Sequence, residues 1–371
     1  MSDPFNLYTD TELSRAQAPA SVHRSWARSR SAGLRPTDAP DYDELPLVSP
    51  YRRDNPETRR LWQYTREEVE QLWGAFGGTD WIIMCVNPQG EIVHARSSPY
   101  MQDDTLKPIV PGRRLREQLV GTTAPSCVLH EQTEALVVGG AHYLKAFSNV
   151  FCLAVPLFDA DGRIVGVLDI TGLGKRDIPL LREHFQLAAL SVQQRFFGAL
   201  RYCHLLRISY DGRLFESPMA GLIAVEEDGR VRAVSLQARR LLGLPLSGAL
   251  RFDMCLRDVF PLARTAQHRR FLVPAGRPQR VELQTGAHVW VQHVRPPLRR
   301  GAGEWEHAQQ ESADPNQESA VPVGSSLQEN ALYAIQQALM DHHGNVAAAA
   351  RQLGISRTTL YAKLKQMEAN N

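Results

Sequence analysis

Between Gly301 and Ser326 the composition changes abruptly. Glu304, Glu306, Glu311, Asp314 and Glu318 stand among Gly, Ser, Gln and Pro without one Lys or Arg. Such a stretch cannot bury enough apolar surface to offset the entropy of ordering it, so it predicts a flexible linker. A chain interrupted in this way does not fold around one core. It divides into a long front part and a short module, Leu327 to Asn371. The length of 371 residues agrees, since domains of roughly 100–200 residues imply two or three of them.

Forty-two Lys and Arg face forty Asp and Glu, a formal charge of +2. No global basic field advertises nucleic acid, and any DNA site must therefore be local. The five cysteines, Cys85, Cys127, Cys152, Cys203 and Cys255, are odd in number, far apart and without a C-x-x-C pair. That spacing argues against a disulfide framework or a zinc knuckle and predicts reduced, buried thiols, with no metal and no cofactor. No apolar run reaches the ~18 residues of a membrane span. The start, Met-Ser-Asp-Pro-Phe-Asn, lacks the blocks of a signal peptide, so the expected location is the cytoplasm, with no membrane partner.

Along the front part, Ser21 to Ser31 reads as a short helix capped by Ser21, with Val22 and Trp26 on one face and Gly33 and Pro36 ending it. Its Arg24, Arg28 and Arg30 could touch DNA, but a solvated face that packs Trp26 on the next domain is the preferred reading. Asn55 to Phe76 is helical in pattern. Trp81 to Val86 and Glu91 to Ala95 form strands around the turn sequence Asn87-Pro88-Gln89-Gly90. A second hairpin joins Val150–Phe158 to Ile164–Thr171 through Asp159-Ala160-Asp161-Gly162. Leu180 to Tyr202 then reads as one amphipathic helix. A third segment, Gly212 to Arg295, repeats the hairpin at Gly221–Val225 and Arg230–Ser235, adds a helix at Gln237–Leu244, and ends in paired strands around Gly286. This order predicts an α+β fold: small antiparallel sensor-like domains joined by a helix, not alternating βαβ units.

The C-terminal module carries the most specific pattern, Asn345 to Lys365. Two helices that cross steeply need small side chains where they touch, which Ala347 to Ala350 supply, and Gly354 permits the left-handed turn between them. Ile355, Leu360 and Leu364 face inward. Ser356 is a natural N-cap, so Arg357, Thr358 and Thr359 fall in the first turn of the second helix, where a helix-turn-helix presents side chains to base edges. Tyr361, Lys363 and Lys365 remain for phosphates and groove walls. A helix at Leu327–His342, with Leu332, Ile335 and Leu339 at helical spacing, would pack on this pair or on a twin chain. A plain helical hairpin for protein contact is the alternative. It leaves the joint presence of the alanine run, the turn glycine, the capping serine and the Arg-Thr-Thr-Tyr-Lys surface unexplained.

This module resembles the Fis-type helix-turn-helix that ends bacterial enhancer-binding activators. The front half is similar to the acetoin-catabolism regulator family of those activators. The similarity runs through Ser25-Trp26-Ala27-Arg28-Ser29, Gly33-Leu34-Arg35-Pro36, Gly121-Thr122-Thr123-Ala124, His142-Tyr143, Cys152 to Leu157 and Gly166 to Gly172. The resemblance implies a GAF sensor and, from Gly221 to Leu244, a PAS-like segment. The expected organisation is an N-terminal helical arm (1–54), a GAF-like domain (55–196), a PAS-like domain (197–298), a linker (299–326) and an all-α helix-turn-helix domain (327–371). Relatives in that family carry an AAA+ ATPase before the DNA-binding domain, marked by a phosphate-cradling G-x-x-x-x-G-K-[ST] loop. No such loop occurs here. Gly172-Leu173-Gly174-Lys175-Arg176 comes nearest, with Arg176 where a metal-binding hydroxyl is required, and reads as a strand-to-helix loop.

The GAF resemblance places a ligand pocket between the sheet and the loop-helix region before the later strands. Trp81, Met84, Cys127, His142, Tyr143 and Phe147 are the candidate lining. The expected protein is no enzyme but a homodimeric regulator that binds a small-molecule effector and an inverted repeat of double-stranded DNA, its two recognition helices ~34 Å apart. It would act by promoter occupancy, with RNA polymerase or a motor-bearing activator as further partner. Two alternatives stay open: a GAF-fold cysteine-dependent reductase, and an accessory subunit that binds DNA only beside such an activator.

Overall fold

The computed structural model describes residues 18–44, 55–174, 176–246, 254–260, 270–273, 277–283 and 285–298, all within the unit Met1–Arg299. The linker at 301–326 and the C-terminal module lie outside the described residues. So do all seven DNA-contact candidates, Ser356, Arg357, Thr358, Thr359, Tyr361, Lys363 and Lys365.

The first sheet is antiparallel and five-stranded, built from β2 (Trp81–Val86), β3 (Ile92–Ser97), β5 (Ala135–Val138), β6 (Val150–Phe158) and β7 (Ile164–Leu173), after the short β1 (Asp43–Glu44) and β4 (Arg113–Arg114), which pair with each other. Its strand order is β3-β2-β7-β6-β5. Side chains alternate across a pleated strand, and here both faces are covered, so Trp81–Val86 is buried at all six positions. On one face lie two long helices, α2 (Pro56–Phe76) and α5 (Ile178–Gly198), whose Leu61, Val69 and Phe185 meet Ile83, Leu153 and Leu168. On the other lie short helices and loops, including α3 (Glu117–Val120) and α4 (Ala124–Glu131), and α1 (Ala20–Ser31) from the N-terminal arm.

Local signals explain the long helices. Asn55 caps α2 by accepting from the Glu57 amide at 2.8 Å, with Pro56 in the first turn, and Asp177 caps α5 through the Leu180 amide at 2.9 Å. Arg195 of α5 ties the pair by donating to Glu68 at 2.8 Å and to Glu67 at 2.9 Å. α5 stops at Gly198, four residues short of the predicted Tyr202. The reason lies beyond it, where Cys203 is buried and His204 opens a strand. The cap of α1 also differs from expectation: Pro19, not Ser21, precedes its first turn and gives no side-chain bond.

A second antiparallel sheet follows, with order β10-β9-β8-β12-β11, from β8 (His204–Ser209), β9 (Gly221–Val225), β10 (Val231–Val234), β11 (Gln279–Glu282) and β12 (His288–Arg295). Helix α6 (Leu236–Leu242) packs on β9 so closely that a Cβ at Gly221 would lie 2.6 Å from the Ala238 Cα. Phe197 is fully buried between the sheets in a small cluster with Ala160, Leu205 and Leu222, and Arg232 pairs with Asp161 of the first sheet's hairpin. Among the described residues, no helix is long and apolar enough to cross a membrane.

Candidate functional site

The chemistry of the first sheet lies on its loop side. β7 reads Val167-Leu168-Asp169-Ile170-Thr171. Leu168 and Ile170 point to the long helices, which leaves Val167, Asp169 and Thr171 on the opposite face. Asp169 is paired in register with Met84 on β2 and Ala154 on β6, and Thr171 with Cys152.

These positions create a buried polar chain. The Thr171 hydroxyl lies 2.6 Å from Asp169 Oδ2 and 3.1 Å from Cys152 Sγ. Cys152 Sγ lies 3.4 Å from His142 Nε2, and His142 Nδ1 lies 3.0 Å from the Gly139 carbonyl. Burial drives every member towards its neutral form. It lifts the Asp169 carboxyl to about 8, against the opposing pull of the Thr171 hydroxyl. It also raises the Cys152 thiol, with the Asp169 carboxylate as a second cause, and lowers the His142 imidazole to about 4. The Gly139 carbonyl must take the Nδ1 proton of neutral His142, so Nε2 accepts. The Thr171 hydroxyl is the donor shared between Asp169 Oδ2 and Cys152 Sγ, the Cys152 thiol faces the accepting His142 Nε2, and His142 donates to the Gly139 carbonyl. Asp169 Oδ1 is left over, buried and without a hydrogen-bond partner.

Five of the six predicted lining residues belong to this side. Met84, Cys127 and Phe147 are buried in the loop-side core, Tyr143 packs against it, and the His142 and Phe147 rings are 5.6 Å apart. Trp81 is the exception: it lies on the opposite face of the sheet from Met84, not beside it as expected. They stand three positions apart on a strand of period two, so Trp81 faces the long helices, 5.6 Å from the Phe151 ring and under the Arg176 guanidinium at 4.2 Å. Sequence reasoning passed over Asp169 and Thr171 as site residues. The available signal was an acid two positions from a threonine inside an otherwise apolar strand.

The N-terminal arm covers this face. Val22 enters the loop-side core, Trp26 Nε1 donates to the Ala141 carbonyl at 2.9 Å, and the Tyr143 hydroxyl donates to the Leu34 carbonyl at 2.9 Å. Glu117 of α3 is the main anchor, accepting from Ser25 and from Arg28 Nε at 2.6 Å, with His130 Nε2 at 3.2 Å. Arg24 reaches Glu131 at 2.8 and 2.5 Å. Arg24 and Arg28 bind Glu131 and Glu117 instead of standing free on a solvated face, while Trp26 packs on the loop-side core as the preferred reading expects.

Burial also raises the Cys127 thiol, to about 11. Neither Cys127 nor Cys152 is therefore a thiolate at neutral pH, the form that thiol chemistry requires. Among the described residues, no three His, Cys, Asp or Glu side chains gather as a metal site.

Comparison with known proteins agrees with this architecture. Residues 65–196 match the GAF domain family, and residues 333–367 match the bacterial regulatory proteins of the Fis family, a span that contains all the DNA-contact candidates. The chain thus carries a GAF domain and a Fis-type helix-turn-helix. The acetoin catabolism regulatory protein of Cupriavidus necator is 25% identical over 241 residues, 62% of this chain and 35% of the relative. A signal-transduction and transcriptional-control protein of Clostridium beijerinckii is 21% identical over 207 residues, 54% of this chain and 33% of the relative. The chain therefore spans roughly a third of the length of these curated relatives. Among solved structures, the E. coli DhaR(N)-DhaL complex aligns over 75% of this chain and 100% of that chain, at 14% identity and a TM-score of 0.40.

Proposed function

We propose that this protein, a GAF domain joined through a linker to a Fis-type helix-turn-helix, is a sequence-specific DNA-binding transcription regulator controlled by a small molecule. The observation that carries the reading is the presence of both families in one chain, at 65–196 and 333–367. A Fis-type module implies duplex DNA, and a GAF domain implies a small-molecule ligand. Arg357, Thr358 and Thr359 would meet base edges from the helix capped by Ser356, and Tyr361, Lys363 and Lys365 the backbone. As a homodimer the protein would read an inverted repeat.

The effector would sit on the loop side of the first sheet, against Met84, Cys127, His142, Tyr143 and Phe147, with the arm as its cover. The second sheet, within 197–298, is read as a PAS-like domain that relays the state of the sensor. Only the linker separates it from the DNA-binding module, an interval too short for an ATPase. Regulation then proceeds by promoter occupancy in the cytoplasm, alone or beside RNA polymerase or a motor-bearing activator. The neutral, buried thiols speak against the reductase alternative.

Genomic footprinting of the purified full chain, with and without short-chain alcohols and ketones, tests this reading. Discrete protected sites with two-fold symmetric halves, shifted in occupancy by one compound class, are expected. Uniform, sequence-blind protection would refute it.

A further inference from the structure

We propose that the cleft between the end of α2 and the end of β3 is a second small-molecule site, one that takes a planar aromatic acid. The cleft has a volume of about 690 Å³, and Trp73, Gly77, Gly78, Arg96, Ser98 and Tyr100 are among the residues that line it. Cavities of roughly 300–1,000 Å³ suit small organic ligands. This one lies apart from the face that the arm covers. Arg96 pairs in register with Ile83, whose side chain meets the long helices, so Arg96 stands on the helix side of the sheet.

Two glycines shape the cleft. Neither takes a left-handed φ, so the backbone conformation alone does not require them. A Cβ at Gly77 would lie 2.6 Å from the Trp73 carbonyl and 2.8 Å from its indole, and one at Gly78 would lie 3.0 Å from the Trp81 ring and 3.1 Å from the Arg176 guanidinium. The Gly-Gly step therefore serves close approach, setting bare backbone against two indoles. The lining then decides the ligand. Its aromatic faces are Trp73 and Tyr100, and Tyr100 is 74% exposed on a turn in which the Ser98 hydroxyl accepts from its amide at 3.1 Å. Flat rings of this kind gain most from a flat aromatic partner. The charge of the lining is positive, because Arg96 belongs to it and no acid does. Glu70 of α2 pairs with Arg96 Nε at 3.1 Å, which leaves the terminal amino groups to a carboxylate, a group that guanidinium binds through two parallel hydrogen bonds. Arg176, flat over Trp81 at 4.2 Å, adds a second positive charge beside Gly78.

The test is isothermal titration calorimetry of the full chain with naphthoate, naphthamide and the saturated decahydronaphthoate. Naphthoate is expected to bind. The amide, which lacks the charge, and the saturated acid, which lacks the flat ring, should each bind about tenfold more weakly. Arg96→Gln is expected to weaken naphthoate by about tenfold and Tyr100→Ala by about fivefold. Arg96 and Tyr100 are each about half exposed or more, so both variants should keep the fold. The three probes on the unaltered protein decide the matter even if one variant fails to fold. Three results would overturn the proposal: no saturable binding of naphthoate at millimolar concentration, an amide or saturated acid that binds as tightly as naphthoate, or unchanged naphthoate affinity in either folded variant.

Discussion

An acid within an apolar strand and an imidazole in the same buried polar chain carry pKa displacements of opposite sign, and together they give the GAF domain a signature in its pH dependence. Asp169 titrates at about 8 when folded and at ~3.9 when unfolded. Its raised value means that its contribution to stability is fully present below ~4 and lost as pH rises through 8. His142, lowered to about 4 from ~6.5, contributes stability above ~6.5 that is lost as pH falls through 4. The two slopes oppose each other below pH ~6.5, and above it Asp169 acts alone. Chemical denaturation should therefore show a fall of about 2 kcal/mol between pH 6.5 and 8, at ~1.4 kcal/mol per unit. The fall should vanish in Asp169→Asn, and equal slopes in the two proteins would contradict the burial of the acid. Two glycines give a second contrast. At Gly172 a Cβ would lie 2.5 Å from the Asp80 carbonyl and the Trp81 ring, whereas at Gly74, on the exposed face of α2, it meets nothing within 4 Å. Gly172→Ala is expected to cost about 1–3 kcal/mol and Gly74→Ala to gain about 0.5–1, read from urea midpoints.

At the scale of elements, the arm is held to the sensor mainly through one carboxylate. Glu117 is buried and serves Ser25 and Arg28 of α1 and His130 of α4. Glu117→Ala leaves Arg28 only the longer contact to Glu131 at 3.9 Å, a loss of about 2–3 kcal/mol. Hydrogen exchange should then show residues 20–31 losing protection while β6 and β7 keep theirs; unchanged exchange in the arm would mean that the other contacts suffice. The elements that could be read from sequence are those announced locally. Asn55 precedes a helix, and Asn87 and Asp161-Gly162 mark turns, so α2 and both hairpins stand where the pattern puts them, while α5 begins at Ile178, two residues before the expected Leu180. The elements missed depend on distant partners. β8 follows directly on a helix yet forms the centre of the second sheet, and β5 exists by pairing with β6. The candidate site divides the same way. Met84, His142 and Phe147 could be placed by family resemblance, but Asp169 takes its meaning from neighbours on other strands.

In the whole molecule, a signal received by the GAF domain, as proposed, would leave it through what the domain touches next. Phe197, at the end of α5, is buried with Ala160 of the first sheet's hairpin and with Leu205 and Leu222 of the second sheet. Arg232 crosses the same boundary to Asp161, and Arg295 donates to the carbonyls of Gly198 at 2.8 Å and Leu200 at 2.7 Å. Phe197→Ala should cost about 3–5 kcal/mol and separate one calorimetric transition into two, while a single shifted transition would show that the sheets remain coupled without it. The proposed function requires that the C-terminal module read DNA. The most direct measurement is fluorescence anisotropy of the full chain on a footprinted promoter fragment and on a scrambled duplex, over a range of salt. Tight binding to the promoter that falls with salt is expected, and Arg357→Ala should lose about 1–3 kcal/mol of preference for the promoter while retaining the non-specific binding. Equal affinity for promoter and scrambled duplex in the unaltered protein would contradict it.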